Sequence, residues 1–260
     1  PFVRQEDGLY TASAYIKGRE ARFDDHVQFH QILRKIARMH RITGKAGFYE
    51  RFPGKPGVCV EYGEFMPNGG FEKQKNRLRS FKKTVLRQGR LSDFDVMFLK
   101  YYDSYERRLN RSMEICSEPG VIDLLTVPPR PRTFAHNALK EETVLINGEQ
   151  AFITSFDEGS NDHFLHDLSS VIKRHLRTGS YMDMPEIIEL YCAENPLSKA
   201  EMKALYAILL LPDKFYKICI KYYSKKRTWT PGSFEAVMED ISGRGDADEV
   251  YVSGFFERFL

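Results

Sequence analysis

The stretch His136-Asn137-Ala138-Leu139-Lys140-Glu141-Glu142-Thr143, followed ten residues later by Ile153-Thr154-Ser155-Phe156-Asp157, decides the fold of this 260-residue chain. Strand-like residues at 143–146 and 151–155 flank Asn147-Gly148, a dipeptide typical of tight hairpin turns. The pattern therefore predicts a loop led by His136, and then a hairpin whose second strand returns toward that loop.

These two parts have the spacing of the catalytic loop and metal-binding strand of kinase-like phosphotransferases. In those enzymes a loop Asp orients or deprotonates the attacking hydroxyl, an Asn five residues later holds a metal ion, and a strand-end Asp bridges Mg²⁺ to the phosphates. Ala138, Thr143 and Ser155 occupy these three places here. Ala cannot accept a proton, and neither hydroxyl brings the negative charge that a hard divalent cation favours. We therefore expect the loop to be unable to transfer phosphate.

Further stretches extend the likeness over about residues 2–241. They are Ile16-Lys17-Gly18-Arg19-Glu20, Ile36-Ala37-Arg38-Met39-His40, His166-Asp167-Leu168, and Leu211-Pro212-Asp213-Lys214-Phe215 with the later Trp229. In order and spacing the chain resembles the bacterial spore-coat proteins of the CotS type, which share the fold of aminoglycoside and choline phosphotransferases.

The resemblance implies an α+β, protein-kinase-like fold of the aminoglycoside phosphotransferase type, with a mostly helical C-lobe and a truncated N-lobe. It divides the chain into an N-lobe sheet remnant, a hinge or linker, the C-lobe and a C-terminal tail, at residues 1–16, 17–25, 26–242 and 243–260. Within the tail, residues 243–248 are predicted to be a flexible linker.

The same resemblance assigns motif residues. The degenerate catalytic loop comprises His136, Ala138 and Thr143, and Ser155 takes the degenerate metal place. Asp157 and Asp167 are retained, and Asp167 is expected to anchor the loop backbone. Because Asp157 follows Ser155 by two residues on the predicted strand, the two side chains are expected on one face.

Hydrophobic periodicity predicts helices over most of the remaining chain. Apolar residues recur at three- and four-residue steps between 26 and 42, after Asp24 and Asp25, either of which can cap the helix. Residues 9–16 are rich in aromatic and β-branched types and predict a strand. Further helices are predicted at 91–116, 164–177, 184–194, 198–211, 212–224 and 231–241.

Residues 73–90 carry eight basic side chains and no acidic one. They would suit an anionic polymer or an acidic partner. The favoured interpretation is the solvent-facing side of a helix packed through Leu78, Phe81 and Val85. Candidate contact residues are Lys73, Lys75, Arg77, Arg79, Lys82, Lys83 and Arg87.

Composition limits the classes of function. A net charge of +3 is too small to indicate nucleic acid, and the four widely separated cysteines favour reduced thiols over a zinc knuckle or disulfide framework. No apolar run approaches the ~20 residues of a membrane span, and no signal peptide is recognised. His26 and His30 lack a third ligand, so no metal site is expected. Because the chain starts at Pro1 in strand-like sequence, we expect the nucleotide-clamping part of the N-lobe to precede it.

Three functions are compatible with these features. The first is a pseudokinase scaffold of the endospore coat, made in the mother-cell cytoplasm, with other coat proteins as partners and its former substrate groove as a partner surface. No cofactor is then expected, apart from weak ATP binding should an intact N-lobe precede Pro1. The second is a small-molecule kinase of the aminoglycoside or choline type with a relocated base: Glu141, Glu142 or Asp157. The third is an anion-binding module that uses the basic helix.

Overall fold

The computed structural model describes residues 2–5, 8–11, 15–44, 70–126, 134–160, 163–224 and 229–259. Two small antiparallel sheets lie within these ranges. Strand β1 (Phe2–Gln5) pairs with β2 (Gly8–Thr11), and β3 (Arg19–Glu20), β4 (Val144–Asn147) and β5 (Gln150–Ile153) form a three-stranded sheet in that order. Gly148 has φ +58°, as a two-residue hairpin turn between β4 and β5 requires.

Helices account for most of the remaining described residues. The first is α1 (His26–Thr43), which begins where the Asp25 carboxylate accepts a hydrogen bond from the Gln28 N–H. The others are α2 (Gly70–Val85), α3 (Asp93–Cys116), α4 (Pro119–Thr126), α5 (Leu165–Arg177), α6 (Met184–Cys192), α7 (Lys199–Leu210), α8 (Asp213–Tyr223) and α9 (Pro231–Phe259).

Two clusters of buried side chains stabilise the helical part. The first core joins α1, α5, α6 and α7, and the second core is an aromatic cluster between α2, α3, α8 and the start of α9. The long helices α3 and α9 contribute to both: Phe98 and Phe234 lie in the second core, whereas Leu109 and Phe256 lie in the first. The two cores are therefore connected by continuous helices.

The structure confirms the predicted helices to within a few residues, except for the one predicted at 231–241, which extends to Phe259. It also corrects three predictions. The segment at 243–248 is not a linker, because α9 continues through it to Phe259. The predicted hinge contains β3, which pairs with β4. The predicted strand at 9–16 ends at Thr11 in the described residues, and Tyr15 and Ile16 are not in a strand.

Helix α4 had not been predicted from the sequence. Its Val121 and Leu125 are buried in the first core.

Cys116 and Cys219 are buried free thiols, and burial raises the pKa of Cys116 to about 12. Cys59 lies outside the described residues. Among the helices of the described ranges, none is both long and apolar enough to cross a membrane.

Candidate functional site

One buried carboxylate holds the loop that starts at His136. Asp167, in the first turn of α5, is 1% exposed and accepts hydrogen bonds from the backbone N–H of His136 (2.6 Å) and of Asn137 (2.8 Å). The hydrogen bonds are those expected of a residue that anchors the loop backbone. The loop shape is thus fixed by contacts to the main chain.

A second helix contributes to the same anchor. His40, near the end of α1, approaches Asp167 Oδ2 with Nε2 at 3.1 Å and the Tyr191 hydroxyl with Nδ1 at 2.8 Å. Burial alone would raise the pKa of Asp167. The hydrogen bond and charge of His40, together with the two backbone N–H groups, outweigh burial and hold that pKa below its ordinary value. The carboxylate is therefore ionised, and it joins α1, α5 and the loop.

His136 connects the loop to the end of β5. Its ring is fully buried, Nε2 lies 2.8 Å from the Thr154 carbonyl oxygen, and Nδ1 accepts the Ala138 N–H at 3.3 Å. Since a carbonyl can only accept, Nε2 carries the proton and donates it to Thr154. Both ring nitrogens are thus used in structural hydrogen bonds.

Asn137 adopts a left-handed backbone conformation with φ +63°. Its side-chain Nδ2 donates to the Glu158 carbonyl (3.1 Å) and to Ser160 Oγ (2.7 Å). Gly tolerates positive φ without cost. Asn is among the residues that tolerate this conformation, and its amide here also ties the loop to residues 158–160.

Thr143, in the place of the metal-binding Asn, turns its hydroxyl back into the loop. Thr143 Oγ1 lies 2.7 Å from the Ala138 carbonyl and accepts the Lys140 N–H at 3.0 Å. The only proton of the hydroxyl and one of its lone pairs are therefore committed within residues 138–143. The hydroxyl closes the loop on itself.

The predicted placement of Asp157 is wrong. Strand β5 ends at Ile153, Ser155 has φ +60°, and Phe156–Glu158 form a 3₁₀ turn. A turn does not alternate side chains as a strand does, so the expectation that Asp157 shares a face with Ser155 fails. Both side chains are exposed. Within the described part of the chain, no group of three His, Cys, Asp or Glu residues has the arrangement of a metal site.

Arg174 of α5 braces the far side of the loop. Its Nε donates to the Leu139 carbonyl at 3.0 Å, and its Nη1 lies 2.9 Å from Glu141 Oε2. Glu141, one of the three candidates for a relocated base, is therefore paired with a cation. The sequence analysis did not single out Arg174, because its partners lie more than thirty residues away in the chain.

A cavity of about 600 Å³ opens beside the loop. Residues 137–140 form one wall, and α5, the end of α7, α8, α9 and the middle of α3 contribute the others. This volume is in the range of pockets that take small molecules. No local sequence signal marks the cavity, because its walls come together only through the packing of separate helices.

The basic residues at 73–90 do not line this cavity. As the favoured interpretation predicted, they belong mainly to a helix, α2, whose Leu78 and Val85 are buried and whose Phe81 packs on the second core. Two of the cations pair with α3: Arg79 with Glu106 at 2.8 Å and Lys82 with Asp103 at 2.7 Å. Lys73, Lys75, Arg77, Lys83 and Arg87 lie on the same helix or just beyond it.

Comparison with known proteins identifies the lineage of this architecture. A family model described as "Spore coat putative kinase YutH" matches residues 25–255. Among solved structures, an aminoglycoside phosphotransferase from Alicyclobacillus acidocaldarius subsp. acidocaldarius DSM 446 is similar with a TM-score of 0.82 and 18% identity, over 99% of this chain and 74% of that one.

A second similar structure is the spectinomycin phosphotransferase APH(9)-Ia, solved in complex with ADP and spectinomycin. Its TM-score is 0.57 at 12% identity, again over 99% of this chain and 74% of that one. No protein among the curated sequences matches. At these identities the two structures establish the fold, and they confirm the predicted kinase-like fold of the aminoglycoside phosphotransferase type with its mostly helical C-lobe.

Proposed function

The chain belongs to the spore coat YutH family, and we propose that it serves the spore coat as a scaffold that does not transfer phosphate. The chemistry of the loop carries this proposal. The residue in the place of the catalytic acid is Ala138, and the hydroxyl in the place of the metal-binding amide, on Thr143, is hydrogen-bonded within the loop. Neither residue can accept a substrate proton or supply anionic charge to a metal.

Nearby carboxylates do not replace the missing acid. Glu141 pairs with Arg174 at 2.9 Å, and Asp157 lies on an exposed 3₁₀ turn. Solvent around Asp157 would screen any contribution it made to holding Mg²⁺. We therefore propose that no metal–nucleotide complex is bound productively. Without a metal ion, we expect any binding of ATP to be weak.

The proposal of a scaffold role rests on the family assignment together with the hydrogen bonds that hold the loop in shape. Asp167, His40 and His136 keep the loop in shape with hydrogen bonds that involve no catalytic group. A rigid helical body of this kind can present surfaces to other proteins. The family description supports a location in the spore coat. We further propose synthesis in the mother cell and other coat proteins as partners.

Phosphotransfer is tested with the full-length purified protein. We expect ATP with Mg²⁺ to give no larger rise in melting temperature than ATP with EDTA, and no transfer of labelled phosphoryl to small alcohols, amines or coat protein extract. A ligand at 100 times its Kd would add about 2.7 kcal/mol, so a productive complex would be readily detected. A Mg²⁺-dependent rise, with turnover that Asp157→Asn abolishes, would refute the proposal.

The scaffold role is tested separately in the spore-forming host. A fluorescent fusion of the full-length protein should collect on the developing spore and remain with the coat fraction. A triple variant of the nearby carboxylates, Glu141→Gln, Glu142→Gln and Asp157→Asn, should restore the coat of a deletion strain as well as the wild type does. A fusion that stays in the mother cell, or a triple variant that behaves as the deletion, would contradict a purely structural role.

A further inference from the structure

The cavity beside the loop is strongly cationic. Its lining as described carries seven Lys or Arg side chains and three carboxylates, the latter from Asp213, Asp240 and Glu249. Two more carboxylates approach from outside the lining, Glu141 at 2.9 Å from Arg174 and Glu142 at 3.9 Å from Lys140. Among the side chains that the structure describes here, cations outnumber carboxylates, seven to five. A concave site with walls of low dielectric constant concentrates the electric field of this excess positive charge.

Arg108 of α3 is the clearest sign that the excess serves a ligand. It is only 9% exposed, and its Nε has no hydrogen-bond partner among the described residues. The nearest carboxylate oxygen recorded for it, on Glu249, lies 3.9 Å from that Nε, beyond hydrogen-bond distance. The N–H groups of a buried guanidinium normally have acceptors, because a buried donor without a hydrogen bond is costly. An anion in the cavity would supply the missing acceptor.

Two further cations stand close to Arg108. Lys173 and Arg177 are four residues apart on α5 and so share one face of that helix. Lys173 donates to Asp213 Oδ2 at 2.6 Å. Burial lowers the pKa of Lys173, the Asp213 carboxylate opposes that effect, and the charges of Arg108 and Arg177 lower the pKa further. The charges of Arg108 and Arg177 thus disfavour the charged form of Lys173, and an anion bound in the cavity would offset that effect.

The remainder of the lining is apolar. Leu139 of the loop, Ile208 and Leu211 at the end of α7, and Phe215 of α8 face the same cavity. A ligand that filled it would need an apolar body as well as a negative group, since a small inorganic anion leaves most of this surface uncovered.

We propose that the cavity binds a small organic anion, with a phosphate or carboxylate group at Arg108, Lys173 and Arg177 and an apolar body against Leu211 and Phe215. The site is separate from the basic helix α2, and it would reject polycations. Its position beside residues 137–140 places the ligand next to a loop that lacks the catalytic acid. The proposal does not require the coat role, and binding is measured without phosphotransfer, so either proposal can fail while the other stands.

Calorimetric titration of the full-length protein with phenyl phosphate tests the proposal. We expect a Kd of about 1 mM or tighter, which corresponds to about −4 kcal/mol by the standard relation. Benzoate should also bind. Benzyl alcohol, which lacks the charge, and spermidine, which has the opposite charge, should not bind detectably. Inorganic phosphate should bind at least about tenfold more weakly than phenyl phosphate, because it makes no apolar contact.

Variants locate the site. Arg108→Gln and Arg177→Gln should each weaken the binding of phenyl phosphate roughly tenfold or more, as expected for a lost hydrogen bond to a charged group. Arg107→Gln is the matched control, because Arg107 is the neighbouring residue on α3 but is exposed and does not line the cavity. Circular dichroism of each variant verifies folding, and Arg177→Gln provides the test if Arg108→Gln unfolds.

Any one of several results would overturn the inference. They are no binding of phenyl phosphate at 10 times the expected Kd, equal binding of spermidine, or equal affinities of the Arg177→Gln, Arg107→Gln and wild-type proteins. Inorganic phosphate that binds as tightly as phenyl phosphate would equally exclude an organic anion as the ligand.

Discussion

At the scale of single residues, the described part of the chain contains two non-glycine residues with positive φ. They are Asn137 in the loop and Ser155 just after β5. Each costs backbone free energy that a glycine would not. Asn137 recovers part of that cost through the hydrogen bonds of its amide to Glu158 and Ser160. Ser155 makes no cap hydrogen bond to the 3₁₀ turn that follows it. The sequence predicted that Ser155 departs from the phosphotransferase motif, but it could not reveal the backbone conformation of either residue.

Substitutions at Asn137 separate the backbone from the side-chain contribution. Asn137→Gly should lower the free energy of unfolding by about 1 kcal/mol, because two hydrogen bonds are lost while the positive φ becomes free of strain. Asn137→Ala should lower it by about 1–2 kcal/mol more, since Ala keeps the strain. Urea denaturation of the full-length protein measures both. Equal stabilities of the two variants would show that the left-handed conformation is not maintained.

Replacement of Asp167 by Asn should cost about 3 kcal/mol near neutral pH, because His40 and two backbone N–H groups lose a buried anion. The folded-state pKa of Asp167 lies below that of the unfolded chain. Its contribution is therefore complete above about pH 4 and is lost as the pH falls through the folded value.

Urea denaturation at pH 7 and pH 3 should show the stability gap between wild type and Asp167→Asn narrowing in acid. Asp123→Asn, on the exposed side of α4, is a matched control that should change stability by less than about 0.5 kcal/mol. A gap of the same size at both pH values would mean that folding does not lower the pKa of Asp167.

At the scale of elements, the most instructive difference between sequence and structure is α9. Gly243, Gly245 and the acidic residues around them predicted a linker, because glycine favours breaks in helices. The structure continues the helix, and a Cβ added at Gly245 would lie 2.8 Å from the Tyr105 hydroxyl oxygen. The Tyr105 hydroxyl also donates to the Ile241 carbonyl at 3.2 Å. Tertiary packing of α9 on α3 thus outweighs the local preference, which a local pattern cannot express.

The two glycines should respond oppositely to alanine. The methyl group that Gly243→Ala adds would lie in open space, and the substitution should stabilise the protein by up to about 1 kcal/mol through helix propensity. Gly245→Ala must displace Tyr105, which stacks on Phe215 at 3.9 Å, and should destabilise by about 1–3 kcal/mol. Thermal unfolding of the pair gives the comparison. Stabilisation by both substitutions would argue against close packing of α9 on α3.

At the scale of the whole molecule, the periodic helices and the hairpin at Asn147-Gly148 could be predicted because their signals are local. The cavity could not, since Arg108 and Lys173 lie far apart in the chain and line one cavity only because α3 and α5 both pack against α7. The motif likewise revealed Ala138, Thr143 and Ser155 but not the turn that redirects Asp157. Local chemistry is thus readable from sequence, whereas convergence of distant side chains is not.

The two cores should unfold together, because α3 and α9 run through both. Trp229, the single tryptophan, lies 5.4 Å from the Phe234 ring of the second core, so its fluorescence reports on that region. Its unfolding midpoint should coincide with that of far-ultraviolet circular dichroism. Phe98→Ala should lower both midpoints equally, at a cost of about 3–5 kcal/mol. Separate transitions would divide the helical part into two independent units.

The anchoring of the loop by Asp167 has a consequence for how such a protein can change over generations. The carboxylate grips main-chain N–H groups, which every amino acid except proline possesses. Substitution of His136 or Asn137 by any residue except proline therefore leaves these two contacts in place, and its cost falls on the other hydrogen bonds of the loop.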